Sequence, residues 1–342
     1  MRPRRILITG VSRFLGSELA RQLAGEPGIE HVVAIDSVLP AGEIGAAEFV
    51  RADIRNPLIA KVLSSVAVDT VVHLNVVAKP TASARAAIKE SNVIGTMQVL
   101  AAAQNARTVR KLVVKSSTSV YGSSAGDPAV FSEDMESRAL PGGYAKDASE
   151  VESYVRGFAR RRPDVDVTML RFANVIGPRG DSALSRFFSS PIVPVPFGFD
   201  PRLQLLHEDD ALEVLRLATM RDRAGTYNVG GAGVVLLSQA VRRAGRLPFP
   251  VAVAPSLTGR LVRRLGVPHF SPEQLATLLH APVADTSRLH TTFDFEPSFS
   301  SAQAFDDFVL GCDVAPVYSA ASVTAAEHSL TQLVSSLAGP RA

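Results

Sequence analysis

Residues 4–24, RRILITGVSRFLGSELARQLA, decide the fold of this chain. A short apolar run at 6–8 leads into Thr9 and Gly10, which is typical of a buried strand that ends in a turn. Beyond the turn, leucines recur at the four-residue spacing of an amphipathic helix, at Leu15, Leu19 and Leu23. The stretch therefore predicts a strand, a glycine turn and a helix.

Two glycines give this turn the character of a binding site. Gly10 allows the backbone to turn tightly, and Gly16 allows the helix to pack closely on the strand, so that the helix N-terminus faces a pyrophosphate. A second apolar run at 31–36 ends in Asp36, about 20 residues beyond the glycines, where an acidic side chain binds a ribose 2′-hydroxyl. Strand context on both sides and the position of Asp36 predict a dinucleotide cofactor.

The glycine turn departs from the usual pattern at its centre. A middle glycine lets the backbone approach phosphate closely, whereas this chain has Val11, Ser12, Arg13 and Phe14 there. Arg13 has two interpretations: it binds the pyrophosphate or a 2′-phosphate, or it is simply solvated. Asp36 would repel a 2′-phosphate and favours NAD, while Arg13 leaves NADP open. We predict NAD.

The composition is that of an ordinary globular protein. Of 342 residues, 46% are hydrophobic and 20% are charged. The net charge is only +3, the basic residues are scattered and there is no Trp, which argues against a nucleic-acid groove. The single cysteine, Cys312, allows no internal disulfide, and no apolar run reaches the length of a membrane span. With a first strand directly at the N-terminus, these features predict a cytoplasmic protein, and the scattered histidines predict no metal site.

The order of the elements predicts the architecture. Strands alternate with helices up to about residue 180, so we expect an α/β fold, a Rossmann-like doubly wound parallel sheet with helices on both faces. Beyond it, proline-rich segments predict a smaller C-terminal substrate lobe at 181–320, with 203–235 contributing to the first domain and 321–342 forming a tail. The expected strands are 6–8, 31–36, 48–54, 70–75, 111–117 and 165–175, and the expected helices include 58–66, 82–106, 144–162 and 209–220.

Further motifs follow in order along the chain. They are Asp53-Ile54, the VHLN run ending in Leu74-Asn75, NVIGT from Asn92, SSTSVYG at 116–122 and LRFANVIGP at 170–178. Together with the glycine turn and Asp36, this set resembles the extended short-chain dehydrogenase/reductases, the NAD-dependent epimerase/dehydratase family, over about residues 4–309.

The resemblance implies a role for each matched position. Ser117 takes the catalytic serine position, and Thr118 and Asn174 take substrate positions. Lys146 takes the position that grips the nicotinamide ribose. The implied cofactor contacts are Thr9, Gly10, Ser12, Arg13, Phe14, Leu15, Gly16, Asp36, Asp53, Ile54, Leu74, Asn75, Asn92 and Lys146.

The catalytic Tyr-x-x-x-Lys pair of the family is altered here. Gly142 stands four residues before Lys146, and Tyr144 only two before it. Two residues are about 200° apart around a helix, so regular geometry turns Tyr144 away from the side that Lys146 faces. We therefore expect a missing catalytic tyrosine, with the Tyr144 hydroxyl outside hydrogen-bonding reach of Ser117. The alternative is that residues 141–143 delay the helix and let Tyr144 enter the site.

These observations favour one function and leave others open. The leading hypothesis is an NAD(P)-dependent epimerase, dehydratase or reductase that acts on a nucleotide-sugar-like, hydroxylated small molecule. A catalytically weakened NAD(P)-binding sensor or scaffold protein is the alternative. A third reading, a reductase of apolar alcohols or ketones, rests only on the apolar residues of the lobe. The resemblance also allows a homodimer.

Overall fold

Seven parallel strands form the central sheet in the computed structural model, which describes residues 3–75, 88–122, 127–136, 143–180, 182–251, 282–312 and 316–317. The described residues contain thirteen strands, of which seven form this sheet. They are β1 (Arg5–Thr9), β2 (His31–Asp36), β3 (Glu48–Arg51), β4 (Thr70–His73), β5 (Lys111–Ser117), β6 (Asp166–Phe172), β7 (Asn174–Ile176), β8 (Ile192–Pro196), β9 (Arg202–Leu203), β10 (Leu205–His207), β11 (Gly225–Val229), β12 (Val235–Leu236) and β13 (Leu247–Val251).

Eight α-helices lie in the described ranges. They are α1 (Phe14–Ala24), α2 (Leu58–Val66), α3 (Gly95–Asn105), α4 (Gly143–Arg161), α5 (Ala183–Ser189), α6 (Glu208–Met220), α7 (Leu237–Arg243) and α8 (Ser301–Gly311). A π-helical turn, Glu90–Ile94, precedes α3. None of the described helices is long and apolar enough to cross a bilayer.

The sheet has the order β11-β6-β5-β4-β1-β2-β3, with every neighbouring pair parallel. Two runs of strands spread outward from β1 and β4, so the order reverses beside the glycine turn. In such sheets ligands bind outside the carboxyl ends of the strands at this point. The predicted Rossmann-like doubly wound sheet is confirmed.

Several element boundaries differ from the sequence-based expectation. The strand expected at 165–175 is broken at Ala173 into β6 and β7, because β7 leaves the main sheet and pairs with β10. The helix expected from Tyr144 begins at Gly143, whose φ of +54° favours glycine. The expected tail at 321–342 and residues 82–87 of the expected long helix lie outside the described residues.

Alternation along the strands divides the core into two layers. Val113 and Leu170 face α1 and α6, whereas Leu112, Val114 and Met169 face α2, α3 and α4. By the same alternation, Lys115 and Ser117 of β5 lie on the α1 side of the sheet, and Ser116 lies on the α4 side. This assignment decides on which face of the sheet each side chain lies at the carboxyl end of β5.

Gly10 and Gly16 allow β1 and α1 to touch. Gly10 has φ +87°, and a Cβ on Gly16 would lie 2.3 Å from the Gly10 carbonyl oxygen. A Cβ on Gly10 would in turn lie 3.0 Å from the backbone of Leu74 and Asn75. No side chain fits at either glycine, so the close packing of β1 on α1 and on the end of β4 requires glycine at both positions.

A buried polar network fixes α4 on the sheet. Arg171 of β6 donates from Nε and Nη2 to the two carboxylate oxygens of Glu152 on α4, at 2.9 and 2.7 Å. Ser116 donates to the same carboxylate at 2.7 Å. Arg171 also donates to the Tyr121 hydroxyl at 2.8 Å, and that hydroxyl donates to Asn228 of β11 at 2.7 Å. The network joins α4, β5, β6 and β11.

The smaller lobe has its own aromatic core. Phe187 and Phe188 of α5 pack with Phe305 and Phe308 of α8, all almost fully buried. Short paired strands surround this core: β10 with β7, β12 with β9 and β13 with β8. Because β7 directly follows β6, the lobe is anchored at the carboxyl edge of the main sheet.

His73 is buried at the end of β4 between two hydroxyl groups. Its Nδ1 lies 2.7 Å from the Thr9 hydroxyl, and its Nε2 lies 2.9 Å from the Thr96 hydroxyl. Burial lowers the pKa of His73 to about 4. The imidazole is therefore neutral at physiological pH and links β1, β4 and α3.

We predict that His73 makes the fold acid-sensitive. In the unfolded chain it binds a proton below about pH 6.5, whereas in the folded protein it does so only near pH 4. Stability is thus fully present above pH 6.5, and up to about 3 kcal/mol is lost as the pH falls towards 4. Urea unfolding of His73→Gln should show a smaller loss between pH 7 and pH 4.5 than the unaltered protein. The exposed His31→Gln is the control, and equal pH dependence of His73→Gln and the unaltered protein would contradict the prediction.

Candidate active site

The adenosine side of the cleft is organised by Asp36 at the carboxyl end of β2. Its carboxylate accepts the backbone N–H of Ser12 at 3.0 Å and that of Val38 at 3.3 Å. Asp36 is therefore fixed beside the glycine turn, only 7% exposed. A ribose hydroxyl pair can be received by a carboxylate held in this way.

Asp53 and Ile54, the next predicted contacts, follow β3. The partly exposed Asp53 carboxylate is bound by the Arg55 guanidinium at 2.6 to 3.1 Å, and this hydrogen bonding lowers the pKa of Asp53. Ile54 is buried, and a Cβ on Gly95 would lie 2.3 Å from its Cδ1. Gly95 is thus needed where α3 approaches the adenine side of the cleft.

The centre of the cleft lies between the glycine turn and β4. Leu74 donates its N–H to the Thr9 carbonyl at 3.2 Å, and Asn75 donates from Nδ2 to Ser91 at 3.2 Å. Asn92 is fully buried in the π-helical turn, where its carbonyl accepts the Thr96 hydroxyl. These predicted contacts therefore line one edge of the sheet next to Gly10.

Arg179 covers the start of α1. Its guanidinium lies 4.9 Å from the ring centroid of Phe14, and its Nε donates to Glu208 at 2.8 Å. The fully buried Glu208 carboxylate also accepts the N–H of Gly180 at 2.8 Å. The loop after β7 is thereby held above the glycine turn, next to the predicted contacts Phe14 and Leu15.

Ser117 and Tyr144 form a hydroxyl pair at the carboxyl end of β5. Ser117 Oγ accepts the Ser119 N–H at 3.2 Å, which caps the short 3₁₀ turn Thr118–Tyr121. The Ser117 side chain is close enough to the Tyr144 phenol to lower its pKa. Burial raises the pKa of Tyr144 to about 12, while the Ser117 side chain and the positive charge of Arg13 act in the opposite direction.

This proximity argues against the expectation that Tyr144 is a purely structural residue turned away from Ser117. Tyr144 and Lys146 do point to different sides of α4, as the helical angle requires. It is Tyr144 that lies on the sheet-facing side of α4, because it is spaced four and eight residues from Ala148 and Glu152, both of which are buried there. Gly142, which we placed at the tyrosine position by counting back from Lys146, lies outside the described residues.

The residue of α4 that follows Tyr144 by four positions is not a lysine. Lys146 is exposed, whereas the next two residues, Asp147 and Ala148, are buried. Ala148 stands four residues after Tyr144 and hence on the same face. It packs in a small cluster with Val120, Tyr121, Phe131 and Ala284. A methyl group thus occupies the place from which a helix lysine would accompany Tyr144.

Two cations outside α4, Lys115 of β5 and Arg13 of the glycine turn, lie close enough to influence each other. The Lys115 ammonium of β5 lies 5.9 Å from the ring centroid of Phe172. Burial and the positive charge of Arg13 lower the pKa of Lys115 to about 8. Sequence reasoning missed Lys115, although a lysine between the apolar run at 112–114 and Ser117 was a visible signal.

The predicted substrate contacts lie beside this pair. Thr118 is buried in the 3₁₀ turn, and the half-buried Asn174 begins β7, in register with Leu205 of β10. Both follow strand ends at the edge that holds Ser117. No group of three or more metal-ligating side chains comes together in the parts of the chain that the structure describes.

Comparisons with known proteins agree with this architecture. The chain is 46% identical over 324 residues to the protein Rv0501 of Mycobacterium tuberculosis (strain H37Rv), covering 92% of this chain and 86% of that protein. The structure of MoeE5 in complex with UDP-glucuronic acid and NAD superposes with a TM-score of 0.71 at 23% identity, covering 90% of this chain and 99% of that one.

UDP-glucose 4-epimerase of Thermotoga maritima, solved with UDP-glucose, superposes with a TM-score of 0.68 at 22% identity, covering 90% of this chain and 98% of the epimerase. The model of the NAD dependent epimerase/dehydratase family matches residues 6–230, from the first strand to beyond β11. This match confirms the family predicted from the sequence, and its name agrees with NAD as the predicted cofactor. The chain belongs to the NAD-dependent epimerase/dehydratase family.

Proposed function

We propose that this chain is an NAD-dependent epimerase, dehydratase or reductase of the extended type that acts on a nucleotide sugar, with Tyr144 as its acid–base residue. The observation that carries the proposal is the Ser117–Tyr144 hydroxyl pair at the carboxyl end of β5. The solved relatives MoeE5 and the Thermotoga maritima epimerase hold UDP-linked ligands, which supports a nucleotide sugar as the substrate class.

The residues present fit an NAD dinucleotide. Gly10 and Gly16 leave no space for a Cβ, so the turn packs closely between β4 and the start of α1, as a dinucleotide-binding turn does. The N–H groups at the start of α1 would bind the pyrophosphate, and Asp36 would bind the adenosine ribose. Ile54 and Asp53 would border the adenine, with Leu74, Asn75 and Asn92 along the cleft.

The chemistry then divides between the cofactor and two hydroxyl groups. Bound NAD would accept a hydride from a substrate carbon. Tyr144 would take the proton of the hydroxyl on that carbon, and Ser117 would hold the same oxygen. Thr118 and Asn174 would contact the rest of the sugar. A phenol with a pKa near 12 is protonated at neutral pH, so proton removal requires positive charge close to it.

A sensor or scaffold protein is the second candidate. The observation in its favour is Ala148, because the helix carries no cation on the face of Tyr144. Such a protein would bind NAD(H) without turning over a nucleotide sugar. Single-turnover reduction of bound NAD by UDP-sugars, followed at 340 nm, separates the two: a hydride transfer that depends on Tyr144 excludes the scaffold.

We predict that Asp36 selects NAD over NADP. Asp36→Asn keeps an acceptor for the Ser12 N–H but removes the charge that repels a 2′-phosphate. Its affinity for NAD should fall about tenfold to a hundredfold, the range for a hydrogen bond to a charged group, and its affinity for NADP should rise. Calorimetric titration measures both, with the exposed Glu48→Gln as control. Tighter binding of NADP than of NAD by the unaltered protein would contradict the assignment.

We predict that Tyr144→Phe abolishes most of the hydride transfer. Loss of a positioned acid–base group costs about 10²–10⁴-fold in rate, while the phenyl ring keeps its packing against the core. This reverses the expectation from sequence, in which Tyr144 is structural. Tyr154→Phe, at an exposed tyrosine of the same helix, is the matched control. Unchanged transfer in Tyr144→Phe, with NAD binding intact, would remove Tyr144 from the mechanism.

A further inference from the structure

The cation that Tyr144 requires does not come from its own helix. Ala148 has no exposed surface and packs in an apolar cluster. Lys146 is exposed on another side of α4. If Tyr144 transfers protons, a positive charge must therefore reach it from a different element.

Strand β5 places a lysine on the face of Ser117. Lys115 precedes Ser117 by two residues, so both side chains leave the same side of the sheet. Their neighbours in register on β6 are Leu170 for Lys115 and Phe172 for Ser117. The Lys115 ammonium nevertheless lies over the Phe172 ring, 5.9 Å from its centroid. The side chain thus runs forward along the strand to the level of Ser117, which is the cofactor edge of the sheet.

Among the residues that the structure describes, Lys115 has no negatively charged partner. Among the described residues, no carboxylate forms an ion pair with its ammonium, and its contact is the face of an aromatic ring. The other nearby charge is Arg13, which lowers the pKa of Lys115 and that of Tyr144. A half-buried ammonium that faces a second cation is costly in the free protein, and hydroxyl or phosphate oxygens of a ligand would relieve this cost.

We propose that Lys115 replaces the helix lysine of the family, so that the ammonium which binds the nicotinamide ribose and stabilises the Tyr144 phenolate comes from strand β5. Arg13, in the place of the middle glycine, supplies the second positive charge towards the pyrophosphate. This assignment rests on the proposed function of Tyr144 and on NAD as the cofactor. It accounts together for three departures from the family pattern, namely Arg13, Lys115 and Ala148.

The test compares Lys115→Met, Lys115→Arg and Lys146→Met. Methionine keeps the length and apolar character of the stem but removes the charge, whereas arginine keeps the charge. Three quantities are measured for each: the NAD dissociation constant by calorimetry, the pH dependence of kcat/KM on a UDP-sugar, and the pKa of Tyr144 from the tyrosinate absorbance lost in Tyr144→Phe. Thermal melting first establishes that each variant is folded, and Lys115→Gln, which also removes the charge, replaces Lys115→Met if that variant does not fold.

The proposal expects a specific pattern. Lys115→Met should weaken NAD binding about tenfold to a hundredfold, as for the loss of a charged hydrogen bond. Since a nearby positive charge lowers a phenol pKa, its removal should raise the pKa of Tyr144 and move the rising limb of the pH profile upward by about one unit. Lys115→Arg should stay within a few-fold of the unaltered protein, and Lys146→Met should change none of the three quantities.

Two kinds of failure can be told apart. If Lys115→Met matches the unaltered protein in NAD affinity and in tyrosine pKa, or if Lys146→Met shows the larger effects, the assignment of Lys115 is wrong while the acid–base role of Tyr144 stands. If Tyr144→Phe keeps full activity, the proposed function fails by itself, and the NAD affinity of Lys115→Met still decides whether Lys115 contacts the cofactor.

Discussion

The bidentate ion pair between Glu152 and Arg171 is the interaction on which the arrangement of the site depends. Both side chains are almost completely buried, and Ser116 donates a third hydrogen bond to the same carboxylate. Removal of one partner from such a pair leaves an uncompensated buried charge and costs about 3–5 kcal/mol. The pair fixes the rotation of α4 over β5 and β6, and with it the position of Tyr144 at the N-terminal end of that helix. Tyr144 lies near Ser117 because the ion pair fixes the orientation of α4.

The same arginine ties the smaller lobe to the sheet. Through Tyr121 it reaches Asn228, whose Nδ2 donates to the carbonyl oxygens of Phe131 and Asp285 at 3.2 and 3.0 Å. Asn228 also donates its N–H to the Glu133 carboxylate at 2.9 Å. The segments around Phe131 and Asp285 therefore depend on the network that positions the hydroxyl pair. These hydrogen bonds hold the segments around Phe131 and Asp285 in a fixed position relative to the sheet.

The two halves of the cleft carry charges of opposite sign. On the adenosine side, Asp36 presents a carboxylate that backbone N–H groups hold in place. On the other side, Arg13 and Lys115 bring positive charge to the level of Ser117. A dinucleotide matches this distribution, because its adenosine ribose hydroxyls would lie at Asp36 and its negatively charged pyrophosphate would lie towards Arg13. The charge of the arginine in the turn acts on Lys115 and Tyr144, which is compatible with a bound NAD.

Local sequence determined the parts of this protein that depend on short-range rules. The apolar runs and the spacing of Gly10, Gly16 and Asp36 predicted the βαβ unit, since backbone sterics and strand burial are encoded within a few residues. The proximity of Ser117 and Tyr144 did not follow from such short-range rules. Counting from Lys146 predicted a missing tyrosine, whereas the buried Glu152–Arg171 pair rotates α4 so that Tyr144 enters the site and Ala148 follows it. The direction of Lys115 was likewise decided by the tertiary structure, because strand pleating gives the face of a side chain but not the distance it extends along its neighbours.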